Sequence, residues 1–179
     1  VPCLAVALIS IRTNKDPQTD FVINILNSGL LQKNQTRLAA LAAPHFTINF
    51  IDMDAVTQQI SGDTNKLRGD YVTLTIYFRL FIADMFPQYD KAIYIDADTV
   101  ADGDLAELFT TDLGDNLVAG VADPVMMTYP ETIEYIQRDF GVQPGEYINS
   151  GVLILNLAQM RQEHFSDRFL HLLKTYHFT

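Results

Sequence analysis

Cysteine occurs once, at Cys3, which excludes an internal disulfide and a cysteine-based zinc site and fits a reducing compartment. Basic residues are scarce as well: 12 Lys and Arg stand against 22 Asp and Glu, a formal net charge of −10. That balance argues against a phosphate-binding surface built from Lys and Arg and so against nucleic acid as a partner. A phosphate-rich ligand would have to be neutralised by something other than bulk charge. No apolar run reaches the ~18 residues of a membrane span, and the short stretch 152–155 reads as a buried strand. No basic segment precedes the apolar stretch 3–11, so it does not read as a signal peptide. Internal repeats, low-complexity stretches and interdomain linkers are missing too.

What remains is an ordinary globular composition, 48% hydrophobic and 19% charged over 179 residues. One domain of this length buries roughly 70% of its unfolded surface. Helical and strand periods alternate along it. Residues 3–12 predict a helix, 21–26 a strand, 31–43 a helix stopped by Pro44, and 46–51 a strand. The polar stretch 52–70 predicts an irregular connection. Leu74, Phe78, Phe81, Ile82 and Met85 then fall on one broad helical face before Pro87, with Thr75 and Arg79 sharing a neighbouring face. A short strand follows at 92–95. Asp104 and Glu107 have capping-box spacing for a brief helix. Strands at 117–122 and 148–155 flank a helix near 129–139, and Asn156 with Gln159 resembles the cap of one final helix reaching Tyr176. The expectation is one α/β domain over residues 1–179 with a mainly parallel sheet flanked by helices. The chain opens on a helix without a preceding strand and stops just after another. It is therefore expected to lack a first strand and a C-terminal segment, leaving an open sheet edge and an incomplete site.

The sharpest signal is Asp96-Ala97-Asp98, directly after the apolar strand 92–95. If the extended conformation continues, its period of two aims Asp96 and Asp98 to one side. Two such carboxylates repel, and a hard divalent cation such as Mg²⁺ or Mn²⁺ is the usual remedy, with water and phosphate completing its shell. Two charges of a diphosphate ~5 Å from two carboxylates would repel by roughly 10 kcal/mol at an effective dielectric of ~20. A bridging cation reverses that sign and stabilises a departing diphosphate. A helix-capping role for both aspartates is the plainer reading of the triplet alone. The stretch also resembles the first motif of haloacid-dehalogenase-type phosphatases. About ninety residues of α/β pattern precede it here, however, Lys174 is the only later Lys, and no Gly-Asp-x-x-x-Asp follows.

Four stretches taken together resemble glycosyltransferase family 8, the retaining enzymes that include bacterial lipopolysaccharide galactosyl- and glucosyltransferases. They are residues 75–80, 90–98, 120–123 and 147–157. The resemblance implies a GT-A fold, a UDP-glucose or UDP-galactose donor, Mn²⁺ or Mg²⁺, and transfer with retention to a glycan acceptor that could be lipid-linked. It also implies a cytoplasmic enzyme, peripheral to the inner membrane in a bacterium, without a transmembrane segment. Carried over by residue, Asp96 and Asp98 match the metal-binding pair. Thr75, Arg79, Asp96, Ala97, Asp98 and Gly151 match donor contacts, and Asp123 and Asn149 match positions near the transferred sugar. The family's nucleotide-base loop, its later Asp-Gln segment and its C-terminal metal-ligating His are not matched, and His45, His164, His171 and His177 lack that context. Two alternatives stand beside the transferase: a donor-binding fragment without turnover, and the phosphatase.

Overall fold

The computed structural model describes residues 1–60 and 74–175. Helix α1 (Pro2–Asn14) has proline in its first turn, where the missing N–H costs nothing. Strand β1 (Phe21–Asn27), helix α2 (Gln32–Ala39) and strand β2 (Phe46–Asp52) form a βαβ unit whose two strands pair in parallel, Phe21 opposite Phe46 and Asn27 opposite Asp52. Leu8 and Ile11 of α1 pack with Ile25, Leu38 and Phe46 into one core cluster.

The expected irregular connection is a helix in its first part. Helix α3 (Asp54–Ile60) places Val56 and Ile60 one turn apart against Phe81, a short 3.6 period hidden within polar residues. Positions 61–70 of that expectation lie outside the described residues. The predicted strong helix is also wound differently: Leu74–Phe81 is a 3₁₀ helix, followed by the single α-helical turn α4 (Ile82–Met85). Its core set survives, with Phe78, Phe81 and Ile82 buried. The tighter winding separates Thr75 from Arg79, however, because residues i and i+4 lie about 120° apart in a 3₁₀ helix and only about 40° apart in an α-helix.

Strand β3 (Lys91–Ile95) leads to helix α5 (Leu105–Phe109), capped by Asp104, whose carboxylate accepts from the Ala106 N–H at 2.9 Å. Strand β4 (Val118–Ala122) precedes helix α6 (Pro130–Tyr135), which runs into a π-turn at Ile136–Phe140 and stops at Gly141 with φ +66°. Strand β5 (Ile148–Asn156) lies between β3 and β4 and runs antiparallel to both. The α/β architecture with flanking helices therefore holds, but the sheet is not mainly parallel: the described ladders are one parallel and two antiparallel. Local patterns cannot show this, because a buried strand reads as the same apolar run in either direction. Leu153 and Leu155 of β5 pack with Ile82, Ala83 and Phe86 in the core beneath this sheet.

The final helix is two. Helix α7 (Leu157–Gln162) and helix α8 (Phe165–Thr175) are separated at His164, whose φ is +50°. The break has a packing cause, since Leu157 and Met160 belong to the sheet cluster while Leu173 joins Ile60 and Phe81 in another. His164 thus lies in the break and not on a helix with His171. The expected cap is present: the Asn156 side chain accepts from the Gln159 N–H at 3.1 Å and donates to the Gly114 carbonyl at 3.2 Å. Asn156→Ala should cost about 1 kcal/mol of stability, read as a lower urea midpoint at unchanged slope. A midpoint equal to wild type would show that the cap contributes nothing.

Candidate active site

The antiparallel pairing of β5 is what assembles the site. With Ile95 opposite Val152, the first residues of β5 lie beside the carboxyl end of β3, and the Asp96 N–H donates to the Gly151 carbonyl at 2.8 Å. Because β3 and β4 both run antiparallel to β5, their carboxyl ends share that edge of the sheet. Asp96 follows one and Asp123 the other.

Asp96 is gripped through a single oxygen. Its Oδ1 accepts from Tyr94 Oη at 2.6 Å and from Arg79 Nη2 at 3.2 Å. Arg79 also donates through Nη1 to the Ser150 carbonyl and through Nε to the Ile76 carbonyl. Its guanidinium lies 4.3 Å from the centroid of the Tyr94 ring, a cation–π distance. The Arg79 side chain is only 12% exposed, against 36% for Asp96. Burial, reinforced by the bond to Asp96, raises the Tyr94 phenol above its ordinary range although Arg79 opposes the shift. Tyr94 therefore remains a donor to the carboxylate at neutral pH. Sequence reasoning passed over Tyr94, although a period of two already puts it on the side of Asp96.

The other carboxylate oxygen faces Gly151, where a Cβ would come within 3.2 Å of Asp96 Oδ2 and 3.1 Å of Asn149 Oδ1. Asn149 accepts from the Gly151 N–H at 2.9 Å and donates to Asp123 Oδ2 at 3.2 Å. Asp123 also accepts from the N–H groups of Val125 and Met126 through Oδ1. Arg79, Asp96, Gly151, Asn149 and Asp123 thus form one hydrogen-bonded chain across the sheet edge.

Asp98 is presented differently from the expectation. The strand ends at Ile95, and residues 96–99 form a turn in which Thr99 donates to the Asp96 carbonyl through its N–H at 3.3 Å and its hydroxyl at 2.9 Å. A tight turn, not continued strand geometry, brings Asp96, Ala97 and Asp98 to the wall of one cavity. It measures about 400 Å³ and is lined as well by Val1, Cys3, Leu4 and Leu30. Helix α1 is fixed there by bonds from Asn14 to the Ala101 carbonyl and from the Ala101 N–H to Ser10. Thr75 is exposed, on a different side of its helix from Arg79.

Among the described residues no three His, Cys, Asp or Glu side chains gather into a cluster able to hold a metal. Asp96 and Asp98 both line the cavity and supply two carboxylates to it. Such a set fits a hard cation that completes its shell with water and substrate phosphate, as Mg²⁺ commonly does.

The sequence model of glycosyl transferase family 8 matches residues 1–178. The chain belongs to glycosyl transferase family 8. It is similar to the Escherichia coli lipopolysaccharide 1,2-glucosyltransferase, 29% identical over 172 residues that cover 94% of this chain and 48% of that protein. It is similar to the apo structure of the bifunctional glycosyltransferase WbbM, with a TM-score of 0.79, 30% identity, and coverage of 96% of this chain and 32% of that one. It is also similar to the galactosyltransferase LgtC crystallised with donor and acceptor sugar analogues, with a TM-score of 0.74, 26% identity, and coverage of 99% and 62%. The chain spans about half the length of four of the curated relatives it matches, 46% to 54%, and 12% to 30% of four others. Family 8 membership over nearly the whole chain removes the dehalogenase-type reading. Among the described residues no helix of this family 8 chain is long and apolar enough to cross a membrane.

Proposed function

We propose that this family 8 chain is the nucleotide-sugar-binding part of a retaining hexosyltransferase. It takes UDP-glucose or UDP-galactose as donor and a glycan of the lipopolysaccharide type as acceptor. The observation that carries the reading is the Asp96-Ala97-Asp98 turn on the wall of the 400 Å³ cavity, hydrogen-bonded through Gly151 and Asn149 to Asp123.

Asp96 through Oδ2 and Asp98 would hold Mn²⁺ or Mg²⁺, which neutralises the diphosphate and stabilises it as it leaves. Tyr94 and Arg79 hold Asp96 Oδ1, so the carboxylate does not rotate when the donor arrives. Arg79 adds a fixed positive charge beside the diphosphate. Asn149 and Asp123 are positioned for the hydroxyls of the transferred hexose. Transfer breaks the bond from the anomeric carbon to the phosphate oxygen, which departs with the electron pair as UDP. A bond forms from that carbon to an acceptor hydroxyl oxygen, whose proton passes to the departing phosphate oxygen.

Calorimetry with UDP, in Mn²⁺ and in excess chelator, tests the donor site, and UDP release with a glycan acceptor tests transfer. Equal UDP affinity in both buffers would defeat the proposal. Mn²⁺-dependent UDP binding without transfer would leave a donor-binding unit only.

Gly151 offers a sharper local check. A Cβ there meets two oxygens at 3.1 and 3.2 Å, and the larger Val side chain must displace Asp96 or Asn149. Gly151→Val should lower Mn²⁺-dependent UDP affinity about tenfold, roughly 1.4 kcal/mol. Unchanged affinity would mean that the donor does not depend on the placement of Asp96.

A further inference from the structure

The segment between β4 and β5 carries aromatic rings that none of the core clusters takes up. Phe140 is 53% exposed, yet it is held on two sides: edge-on to Tyr135 at 5.3 Å and tilted 6.2 Å from Tyr147. Tyr135 is itself 41% exposed. The neighbouring Ile136 is fully buried and anchors the segment. The rings are thus fixed in place while open to solvent.

Their position relative to the site follows from the strand register. The Asp123 N–H donates to the Tyr147 carbonyl at 2.8 Å. Tyr147 immediately precedes β5, two residues before Asn149, whose amide binds Asp123. The ring series therefore begins beside the Asp123–Asn149 pair. In the order β3-β5-β4, the Asp96 turn ends one outer strand and Asp123 the other. Strands lie about 4.8 Å apart, so these two ends are separated by roughly 10 Å. On the donor-site reading, a diphosphate at Asp96 would set its hexose over Gly151 and the Asn149–Asp123 pair, and the next sugar ring outward would meet the aromatic series.

We propose that Tyr147, Phe140 and Tyr135 form a stacking platform for a neutral sugar ring of the acceptor glycan. This rests on the donor-site reading above. A pyranose has an apolar C–H face and a hydroxyl rim; the rings match the first, and the tyrosine hydroxyls match the second. The surrounding charge disfavours an anionic membrane as occupant. Glu131, Glu134, Asp139 and Glu146 lie in this segment, and its Arg138 is paired with Asp139 at 2.8 Å.

The test uses the full-length protein and titrates methyl α-glucoside, methyl β-galactoside and methyl β-lactoside by saturation-transfer NMR, with and without UDP and Mn²⁺. At least one glycoside should bind wild type. Phe140→Ala should weaken that binding at least tenfold, Phe140→Trp should retain it, and the affinity for UDP with Mn²⁺ should stay within twofold in both variants. Equal glycoside affinity in Phe140→Ala, or no glycoside binding by wild type, would overturn the platform. So would a Phe140→Ala defect confined to binding of phosphatidylglycerol vesicles. Failure of wild type to bind UDP with Mn²⁺ would instead defeat the donor-site reading, while the glycoside titrations without nucleotide still decide the platform.

Discussion

Asp96→Asn and Asp98→Asn should each lower Mn²⁺-dependent UDP affinity about a hundredfold, close to 3 kcal/mol. Each removes the carboxylate of one of the two aspartates that line the cavity. An amide keeps the shape but is a poor ligand for a hard cation. The sign should reverse in excess chelator. Without a cation, each carboxylate repels the diphosphate, so both variants should bind bare UDP no worse than wild type, and Asp96→Asn more tightly. Asp98 is exposed and its repulsion is screened by solvent, so its gain should be the smaller one. Isothermal titration of the three proteins in both buffers supplies the four comparisons. A variant that loses UDP affinity equally with and without Mn²⁺ would point to a disrupted fold instead of a lost ligand.

Arg79→Ala should lower Mn²⁺-dependent UDP affinity thirtyfold or so, about 2 kcal/mol, and Arg79→Lys should recover little of it. The guanidinium links three elements at once, through the carbonyls of Ile76 and Ser150 and through Asp96 Oδ1, while stacking on Tyr94. An ammonium can replace the charge but not the planar fork or the stacking. Tyr94→Phe removes only one of the two donors on Asp96 Oδ1 and keeps the ring beneath Arg79, so its effect should be smaller. If Lys restores affinity to within threefold, Arg79 acts as a point charge and the rigid grip on Asp96 is irrelevant.

These effects depend on a candidate site whose residues stand out one at a time in the sequence but whose assembly does not. The Asp-Ala-Asp triplet stood out because an apolar strand leads straight into two carboxylates. Extended geometry was the wrong reason for expecting them together: hydrogen bonds from Thr99 fold residues 96–99 into a turn. Arg79 reaches Asp96 from a 3₁₀ helix, whose tighter winding takes Thr75 to another side. Periodicity did not reveal that winding, since Phe78 and Phe81 remain buried either way. Helix α3 was missed because its apolar positions, Val56 and Ile60, give only one repeat of the period.

The sequence by itself determined the α/β class, the strands and their apolar faces, the Asn156 cap and the candidate carboxylates. Each depends on residues within a turn or two of one another, where hydrophobic period and side-chain chemistry act directly. Only the tertiary structure decided that β5 enters antiparallel between β3 and β4. That choice depends on contacts between segments about sixty residues apart, such as Ile95 with Val152, which no local pattern encodes. It is also the choice that builds the site, because the reverse direction would carry Asn149, Ser150 and Gly151 to the far end of the sheet, away from Asp96.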